Sequence, residues 1–478
     1  MPVVVGVDSS TQSTKVEIRD LDSGELISSG RASHPSTGIA PVSETDPLEW
    51  IAAFDQAYAQ ASAQASAQTV LPTVAAISVA GQQHGMVTLD HEHKVVRNAK
   101  LWNDTQSAPD AQWCVDQRGA AWWAEQVGSV PVASFTVAKL SWLKRVEPQN
   151  WSRVAHICLP HDFLSWHLRG GGAAEITTDR GDASGTGYWS PSTHSYNSEV
   201  LKIIDKTRDW SKMLPRVAGP LESTGQWGKA VISCGTGDNM AGALGIGLLP
   251  GDVAISLGTS GTVYSVSSSP THDTTAAVAG FADATGGFLP LVCTLNATKV
   301  FDSFANFLGV DLPQFGELAL SSSCGAGELV LLPYLDGERT PNLPDARAML
   351  VGLNSSHSRS DVARAAIEGV VCGLLDGLNA ITNCGVDTLG RIFLLGGGAQ
   401  SPAVCQIVAD LTGKQVNILN EPEIVALGAA RQAAATLTGK WPSWVASSRI
   451  AAEPIASSSQ RNETRQRFAD ARIKSYGV

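Results

Sequence analysis

Val3-Val-Val-Gly-Val-Asp8-Ser-Ser-Thr-Gln-Ser-Thr-Lys15-Val-Glu-Ile18 consists of an apolar run, a tract of small hydroxyl residues and a second apolar run. The same pattern returns in Val253-Ala-Ile-Ser-Leu257-Gly-Thr-Ser-Gly261-Thr-Val-Tyr-Ser-Val266. Each stretch predicts a β-hairpin with a tight turn. They lie about half a chain apart, which suggests two similarly built domains whose turns face a shared cleft. Two unrelated hairpins in a large α/β protein would give the same pattern, so both interpretations stay open at this point.

The composition is that of a large globular protein. The 478 residues correspond to two or more domains, and a hydrophobic share of 43% with only 17% charged residues excludes an intrinsically disordered chain. The formal net charge is −11 and no run of basic residues occurs, so nucleic acid is not expected as a partner. The 8 cysteines are scattered without a CxxC pair, which predicts free thiols rather than a zinc site or a disulfide framework.

The N-terminus and the apolar runs predict a cytoplasmic protein without a membrane partner. The start, from Met1 to Asp8, has no basic region ahead of its apolar residues, unlike a signal peptide. The longest apolar candidate, Met240 to Leu249, is rich in glycine and falls short of the roughly 18 residues that a membrane span needs.

Strands and helices alternate along the chain, which predicts an α/β fold with mixed sheets. We expect helices after Asp46-Pro47 and from a cap at Ser360 to about Gly385. A buried strand is expected over residues 392–395, followed by a glycine turn over residues 396–399 and a further helix. Residues 443–459, rich in Ser and Ala, are expected to form a loop before a polar C-terminal helix.

Three turns rich in glycine, serine and threonine follow apolar strands, at residues 8–14, 258–261 and 396–399. Such turns suit phosphate oxygens, because small residues let backbone N–H groups approach an anion closely. The chain has no GxxxxGK[ST], no GxGxxG after a strand and no GxSxG. These absences count against P-loop NTPases, dinucleotide-binding dehydrogenases and α/β-hydrolases.

Two aspartates and a histidine near strand ends are candidates for chemistry. Asp8 ends the first predicted strand, Asp238 lies just before a helix of small residues, and His84 is flanked by glycines in Gly81-Gln-Gln-His-Gly85. Transfer of a phosphoryl group from ATP needs Mg²⁺ on oxygen ligands and a carboxylate that deprotonates the accepting hydroxyl, so two such aspartates would suffice. Taken singly, an Asx turn or a helix cap would account for each aspartate, and a surface loop would account for His84.

The chain resembles the FGGY family of carbohydrate kinases from Val4 to about residue 435. The matching tracts, in family order, are Gly81-Gln-Gln-His-Gly85, Leu101-Trp-Asn-Asp104, Phe135-Thr-Val-Ala-Lys139-Leu-Ser-Trp142, Gly235-Thr-Gly-Asp-Asn239, Leu257-Gly-Thr-Ser-Gly261, Leu332-Pro-Tyr-Leu-Asp-Gly-Glu-Arg-Thr-Pro341, and Ala348-Met-Leu-Val-Gly-Leu353 followed by Asp361-Val362 and Ala365-Ala-Ile-Glu368. The resemblance implies two actin-like (ribonuclease H-like) α/β domains with an interdomain cleft. The implied divisions are a sugar-binding domain over residues 1–248, an ATP-binding domain over 249–440 and a tail over 441–478 that packs on the second domain.

The resemblance also implies roles for individual residues. Asp238 matches the general base that takes the proton from the sugar hydroxyl, and Asp8 matches the carboxylate that positions Mg²⁺. The positions that match the sugar site are Gln83, His84, Asp104 and Asn239. Those that match the nucleotide site are Thr11, Gln12, Gly258 and Thr259 in the phosphate turns, and Gly398 with Ala399 in the adenosine motif.

The resemblance therefore implies an ATP- and Mg²⁺-dependent kinase of a ketopentose, first of all D-xylulose at its 5-hydroxyl. Gln83 stands where many ketopentose kinases of the family carry methionine, so ribulose, ribitol and arabinitol are alternative substrates. Glycerol is disfavoured, because glycerol kinases of the family carry Arg-Glu where this chain has Gln83-His84. From a different class, an actin-like, nucleotide-dependent binding protein remains an alternative. The expected partners are ATP and a small sugar, and the sequence leaves a homodimer open.

Overall fold

The computed structural model describes residues 2–35, 37–68 and 73–478, which form two large mixed sheets surrounded by helices. The strands are β1 (Pro2–Ser9), β2 (Ser13–Asp20), β3 (Leu26–Ser33), β4 (Glu44–Thr45), β5 (Thr73–Gly81), β6 (Val87–Leu89), β7 (Ala99–Lys100), β8 (His156–Cys158), β9 (Thr177–Asp179), β10 (Trp189–Ser190), β11 (Ser195–Tyr196), β12 (Arg216–Ala218), β13 (Ser223–Trp227), β14 (Ala230–Ser233), β15 (Thr236–Gly237), β16 (Val253–Leu257), β17 (Gly261–Ser265), β18 (Ala279–Ala282), β19 (Phe288–Thr294), β20 (Val330–Leu332), β21 (Met349–Val351), β22 (Ile392–Leu395), β23 (Val416–Leu419) and β24 (Ser448–Ala452). The helices are α1 (Pro47–Gln68), α2 (Ala108–Arg118), α3 (Ala120–Val127), α4 (Thr136–Val146), α5 (Pro148–Arg153), α6 (Pro160–Leu168), α7 (Arg180–Ser184), α8 (Ser198–Ile204), α9 (Asp238–Ile246), α10 (Thr298–Leu308), α11 (Leu312–Leu320), α12 (Arg359–Asn383), α13 (Pro402–Thr412), α14 (Ile424–Thr438) and α15 (Ser458–Tyr476).

The two seven-stranded sheets are built alike. The first has the order β13-β14-β5-β1-β2-β3, with β15 also paired to β5, and the second has the order β18-β19-β17-β16-β22-β23-β24. In each sheet the opening hairpin is antiparallel, β1 with β2 and β16 with β17, and its first strand pairs in parallel with a later strand, β5 or β22. This repeated core is that of two actin-like halves, so the prediction of two similar domains from the paired hairpins is confirmed.

Both quoted stretches form the predicted hairpins. In the first, Asp8 lies opposite Lys15 on the neighbouring strand, and in the second Leu257 lies opposite Gly261. Each turn is closed by a backbone hydrogen bond of 3.0 Å, from Ser10 N–H to the Ser13 carbonyl and from Gly258 N–H to the Ser260 carbonyl. These short turns hold the ends of β1 and β16 in fixed positions.

Helix α14 lies between β23 and β24 of the second sheet in sequence but packs on the first sheet and on α9. A Cβ atom on Gly428 of α14 would lie 1.8 Å from the Ala241 carbonyl oxygen, and one on Gly245 of α9 would lie 2.1 Å from the Ile424 carbonyl oxygen. Only glycine lacks a Cβ atom, so these two residues allow the helix backbones to touch. This crossing fixes α9, whose first residue is Asp238.

Apolar cores fill both halves, and a further cluster joins them. Val5 and Val16 of the first sheet pack in one core, while Ile255 and Val371 pack in the core of the second half. The joining cluster contains Phe135 of the first half and Phe281 of the second, whose ring centroids lie 6.0 Å apart. The two halves therefore share apolar contacts in addition to the contact through α14.

Several local predictions are confirmed. Helix α1 begins at Pro47, and Asp46 accepts a hydrogen bond of 3.0 Å from the Leu48 backbone N–H. Strand β22 covers residues 392–395, a short 3-10 helix (Gly397–Gln400) forms the glycine turn, and α13 follows it. All eight cysteines are free.

Two local predictions are wrong. Helix α12 is capped by Ser358 rather than Ser360, because the Ser358 hydroxyl accepts from the Asp361 N–H while the Asp361 carboxylate accepts from the Ser358 N–H at 2.8 Å, a reciprocal capping box. Residues 448–452, within the expected loop, form β24, which pairs antiparallel with β23. Most of β24 is exposed at the sheet edge, so its side chains have no apolar pattern that reveals a strand.

Helix α12 is the one described helix that is long and apolar enough to cross a membrane. Its most apolar window is 72% buried inside the protein, and it carries a buried ion pair between Arg364 and Glu368, 2.7 Å apart. Such burial is typical of a core helix.

Residues 441–478 contact both halves. The indole of Trp444 donates a hydrogen bond of 3.3 Å to the Leu21 carbonyl in the first half. Strand β24 extends the second sheet, and α15 packs against α13 and β20.

Candidate active site

The hairpin turns and the residues after β5 line one cavity of about 260 Å³ between the two halves. Six of the residues predicted from the sequence lie in its wall: Thr11, Gln83, His84, Asp238, Asn239 and Gly258. A larger cavity of about 850 Å³ lies elsewhere, beside His156 and Trp210, and contains none of the predicted residues. The convergence of six residues from distant parts of the chain, rather than volume, therefore identifies the candidate site.

Asp238 presents one free carboxylate oxygen to this cavity. Its Oδ1 atom accepts hydrogen bonds from the backbone N–H and the Nδ2 of Asn239, at 2.8 and 3.0 Å. Among the described residues, no group donates to Oδ2. Burial, followed by the negative charges of Asp8 and Asp182, raises the pKa of Asp238 to about 7. A carboxylate with one free oxygen and a pKa near neutrality is suited to act as a general base.

Asp8 is buried at the end of β1 and is held from both sides. Its Oδ1 accepts a hydrogen bond of 2.5 Å from the Ser10 hydroxyl, and its Oδ2 accepts one of 3.2 Å from Lys15 Nζ. Lys15 Nζ also lies 2.6 Å from Glu423 Oε2, at the start of α14. Burial acts to lower the pKa of Lys15, but the two carboxylates together raise it, so this lysine stays charged. One cation therefore links Asp8 to the helix that crosses between the halves.

The Asp8 carboxylate, close to Asp238, fits a magnesium ion that is bound together with a nucleotide. In phosphoryl-transfer sites Mg²⁺ keeps several waters and uses one or two carboxylates together with substrate phosphates. The charge of Asp8 raises the pKa of Asp238, so the two carboxylates act on the same space. Within the described ranges, no group of three or more His, Cys, Asp or Glu side chains can hold a metal by itself. This donor set suits an ion that arrives with ATP better than a permanently bound metal.

Gln83 offers an unused hydrogen-bond donor beside Asp238. Its Oε1 accepts a hydrogen bond of 2.9 Å from Asn239 Nδ2, which fixes the orientation of the amide. Its Nε2 is buried and has no partner in the described part of the chain. Because an unpaired buried donor is unfavourable, the arrangement favours a ligand oxygen at this position.

The His84 ring presents a lone pair to the cavity. Its Nδ1 lies 2.6 Å from the Gly185 carbonyl oxygen, which can only accept, so Nδ1 carries the proton and Nε2 is the acceptor. Burial and then the charge of Lys139 lower the pKa of His84 to about 3, which keeps the ring neutral. The ring stacks on Phe135 with a centroid distance of 4.9 Å.

The backbone of His84 is held in an uncommon conformation. Its φ of 66° lies in the left-handed region, which costs a residue other than glycine roughly 1–2 kcal/mol. The His84 carbonyl accepts hydrogen bonds from Lys139 Nζ at 2.9 Å and from Thr136 Oγ1 at 3.2 Å, both on α4. Backbone strain that the surroundings fix in this way is typical of functional sites.

The predicted nucleotide residues lie at and around the second turn. Gly258 lines the cavity, while the Thr259 side chain is exposed outside it. Gly398 and Ala399 lie in the 3-10 helix after β22, where a Cβ on Gly398 would be 2.6 Å from the Leu257 Cβ, so this turn rests on the strand that leads into Gly258. Gln12, in the first turn, is exposed and does not line the cavity.

Asp104 lies apart from the cavity. Its side chain is fully buried and accepts hydrogen bonds from Ser43 N–H and Lys100 Nζ, both at 2.9 Å, and from Gln106 N–H at 3.1 Å. The neighbouring Trp102 lines the cavity instead, and its indole donates a hydrogen bond of 2.9 Å to Thr11 Oγ1. In this tract, therefore, the tryptophan faces the site and the aspartate secures the loop that carries it.

Sequence reasoning missed several residues at the site: Lys15, Trp102, Ser134, Phe281, Cys293 and Arg339. Trp102 and Arg339 lie inside two of the quoted family tracts, so the signal for them was present. Phe281 and Cys293 lie on plain apolar strands, and only the packing of the halves brings them to the cavity.

Comparison with known proteins identifies the family of this chain. The profile of the FGGY family of carbohydrate kinases matches this chain in both parts, the N-terminal domain over residues 3–245 and the C-terminal domain over residues 253–437. The chain belongs to the FGGY family of carbohydrate kinases. Two curated relatives of this FGGY kinase are the xylulose kinases of Streptomyces rubiginosus and Streptomyces coelicolor, 43% and 44% identical over 97% of this chain and 94% of each relative.

A solved structure similar to this FGGY kinase is that of xylulose kinase from Bifidobacterium adolescentis. It superposes with a TM-score of 0.87 and 38% identity, over 98% of this chain and 99% of that one. The FGGY kinase is thus a carbohydrate kinase built of two actin-like halves.

Proposed function

We propose that this kinase transfers the γ-phosphoryl group of ATP to the 5-hydroxyl of D-xylulose, giving D-xylulose 5-phosphate. The single observation that carries the proposal is the free Oδ2 of Asp238 in a cavity bounded by the phosphate turns on one side and by Gln83 and His84 on the other. The near full-length similarity to xylulose kinases supports the choice of sugar.

Asp238 is the general base of the proposed reaction. Oδ2 accepts the proton of the sugar hydroxyl as that oxygen attacks the γ-phosphorus in line with the leaving ADP oxygen. The two hydrogen bonds from Asn239 to Oδ1 hold the carboxylate so that Oδ2 stays directed at the acceptor. Proton transfer to such a positioned base contributes about 10²–10⁴ in rate.

The sugar is recognised by groups of complementary hydrogen-bonding character. Gln83 Nε2 is a buried donor that would lose a partner if a hydroxyl were missing, and His84 Nε2 is an acceptor beside it. The departure of Gln83 from the methionine common in related kinases adds a donor at this place. Because of this additional donor, an assay must include ribulose, ribitol and arabinitol as alternative substrates.

The nucleotide phosphates lie at the turns around Thr11 and Gly258 in this proposal, and the adenosine lies toward Gly398 and Ala399. Mg²⁺ bound with ATP would be held through Asp8 and would neutralise the charge that develops on the phosphoryl oxygens. Lys15, Asp8 and Ser10 form a rigid polar group beside the first turn. Closure of the halves would exclude water, so that sugar rather than solvent accepts the phosphoryl group.

We further propose that the enzyme works in the cytoplasm with ATP and the sugar as its partners, independently of nucleic acid and membranes. The separation of Asp238 and Gly258 onto different halves makes domain movement, rather than assembly, the step that completes the site. Sedimentation equilibrium with and without substrates distinguishes a monomer from a homodimer.

A coupled assay of ADP release tests the substrate. The panel is D-xylulose, D-ribulose, ribitol, D-arabinitol and glycerol, each titrated at saturating Mg-ATP. We expect the highest kcat/KM for D-xylulose and the lowest for glycerol. A higher kcat/KM for any other member of the panel would contradict the proposed substrate.

A further inference from the structure

Arg339 reaches the cavity from the second half on a firmly held loop. The loop follows β20, and its Glu338 carboxylate accepts hydrogen bonds from the Leu295 and Arg339 backbone N–H groups, at 2.5 and 2.7 Å, and from Asn296 Nδ2 at 2.8 Å. The next residue, Thr340, donates a hydrogen bond of 3.0 Å to the Cys293 carbonyl. The backbone on both sides of Arg339 is therefore fixed to β19 and to the two residues that follow it.

The Arg339 guanidinium has no carboxylate partner in the described part of the chain. The Cys293 thiol lines the same cavities; burial raises the pKa of this thiol and the Arg339 guanidinium partly lowers it. Of the described residues that line the cavity, Arg339 alone has a permanent positive charge. A guanidinium is a donor-only group with five N–H bonds, so most of its hydrogen-bonding capacity is unused.

A second, smaller cavity shows at which end of the site Arg339 lies. This space of about 60 Å³ shares His84, Phe281, Cys293 and Arg339 with the main cavity, but not Asp238 or the Gly258 turn. His84 and Arg339 therefore mark the end remote from the phosphate turns. A sugar whose terminal hydroxyl lies at Asp238 must extend its other end toward these two residues.

We propose that Arg339 is a specificity-determining residue that donates hydrogen bonds to the carbonyl end of the bound sugar. The inference rests on the proposed function, because the far end of a ketopentose is an α-hydroxyketone. Its carbonyl oxygen only accepts and so matches the guanidinium, while the adjacent hydroxyl donates to the lone pair on His84 Nε2. The bound sugar then links a residue of the first half to a residue of the second.

The test combines Arg339→Met with two kinds of ligand. Methionine keeps an unbranched side chain without the charge. Arg347→Met is the matched control, because Arg347 lies in the same connection between β20 and β21, is exposed and lies outside the cavity. The ligands are D-xylulose and its two reduction products, xylitol and D-arabinitol, which lack the carbonyl. Each pentitol is measured as a substrate or as a competitive inhibitor, so a result does not depend on turnover. Melting curves identify a variant that fails to fold, and Arg339→Gln replaces Arg339→Met in that case.

We expect Arg339→Met to raise the KM for D-xylulose about 10- to 100-fold, the range for loss of a hydrogen bond from a charged group, with the KM for ATP changed less than about twofold. The affinity for the pentitols should fall less, since a hydroxyl at that carbon does not depend on a donor as a carbonyl does. Arg347→Met should match the wild type. An equal loss for ketose and pentitols, an unchanged KM for D-xylulose or an effect on ATP alone would overturn the inference.

The substrate preference of the wild-type enzyme tests the proposed function separately from the role of Arg339. If the wild type prefers another polyol, the proposed substrate fails, whatever Arg339 does. The Arg339→Met comparison of D-xylulose with its two pentitols, measured as substrates or inhibitors, then still decides the contact: a larger loss of affinity for the ketose supports it, and an equal loss overturns it.

Discussion

Asn239 binds one oxygen of Asp238 twice, with its backbone N–H 2.8 Å and its Nδ2 3.0 Å from Oδ1. Both residues begin α9, where the helix dipole favours a carboxylate. Burial, followed by the negative charges of Asp8 and Asp182, outweighs these favourable contacts and raises the pKa of this carboxylate to about 7. Asp238 is thereby a fixed but weakly stabilised anion, which is the state that a base needs before it accepts a proton.

Replacement of this base gives the first prediction. Asp238→Asn keeps the size of the side chain and the acceptor for Asn239 but removes the basic oxygen, so kcat should fall about 10²- to 10⁴-fold. The melting temperature and the affinity for ATP should stay close to those of the wild type. Asp116→Asn, on the exposed face of α2, is the control and should retain full activity. Activity of Asp238→Asn within a few-fold of the wild type would remove Asp238 from the mechanism.

The pH profile should report the same carboxylate. Because the ionised form of Asp238 is the base, kcat/KM should be highest above the pKa of Asp238. It should fall as the pH decreases through about 7. Asp8→Asn removes a negative charge that raises the pKa of Asp238, so the acid limb of its residual activity should move to lower pH. An acid limb that stays in place or moves upward in Asp8→Asn would contradict this assignment.

His84 should bind sugar without titrating in that range. Its pKa of about 3 leaves the ring neutral across the profile, so His84→Asn should keep the acid limb near pH 7 while raising the KM for the sugar at least about tenfold. Asparagine tolerates a φ of 66° better than most residues, so the variant should fold. Steady-state kinetics at several pH values check both points, and disappearance of the limb in His84→Asn would assign it to the histidine instead.

Local patterns predicted much of the fold and of the site. The alternation of an apolar strand, a turn of small residues and a second strand was sufficient for both hairpins, because strand pairing there is local in sequence. Asp238 and His84 stood out by their positions beside a helix start and between glycines, whereas Gln83 and Asn239 came from the family tracts. The parallel pairing of β5 and β15 brings all four to one sheet edge. The positions of Arg339 and Cys293 depend on how the second half packs against the first, which no local pattern encodes.

The wrong predictions for the α12 cap and for β24 also have physical causes. Ser358 and Ser360 are both possible caps, and the hydrogen bonds with Asp361 favour the first. Strand β24 exists because β23 offers an edge for pairing, not because of its own side chains. The role of Asp104 at the sugar site stays a prediction: Asp104 is close to the cavity residue Trp102 in sequence, and the buried Lys100 ammonium binds its carboxylate 2.9 Å away.

The glycine crossing between α9 and α14 gives a prediction about stability. Gly428→Ala would place a Cβ atom 1.8 Å from the Ala241 carbonyl oxygen, so the helices must separate, at a cost of about 3 kcal/mol or more. Gly373→Ala, in the buried helix α12, is the control, because its Cβ would meet nothing within 4 Å. The control should be neutral or stabilising by about 0.5–1 kcal/mol. Thermal and urea unfolding measure both, and equal stabilities of the two variants would contradict the close approach of α9 and α14.

The product formed from a mixture of sugars and polyols tests the proposed phosphorylation of D-xylulose most directly. The wild-type enzyme is given limiting Mg-ATP with equimolar D-xylulose, D-ribulose, ribitol, D-arabinitol and glycerol, and the phosphorylated carbon is identified by phosphorus–proton correlated NMR. Most of the transferred phosphate should be coupled to the C5 methylene protons of D-xylulose. Phosphate found mainly on another polyol, on C1 of D-xylulose, or released as inorganic phosphate would contradict it.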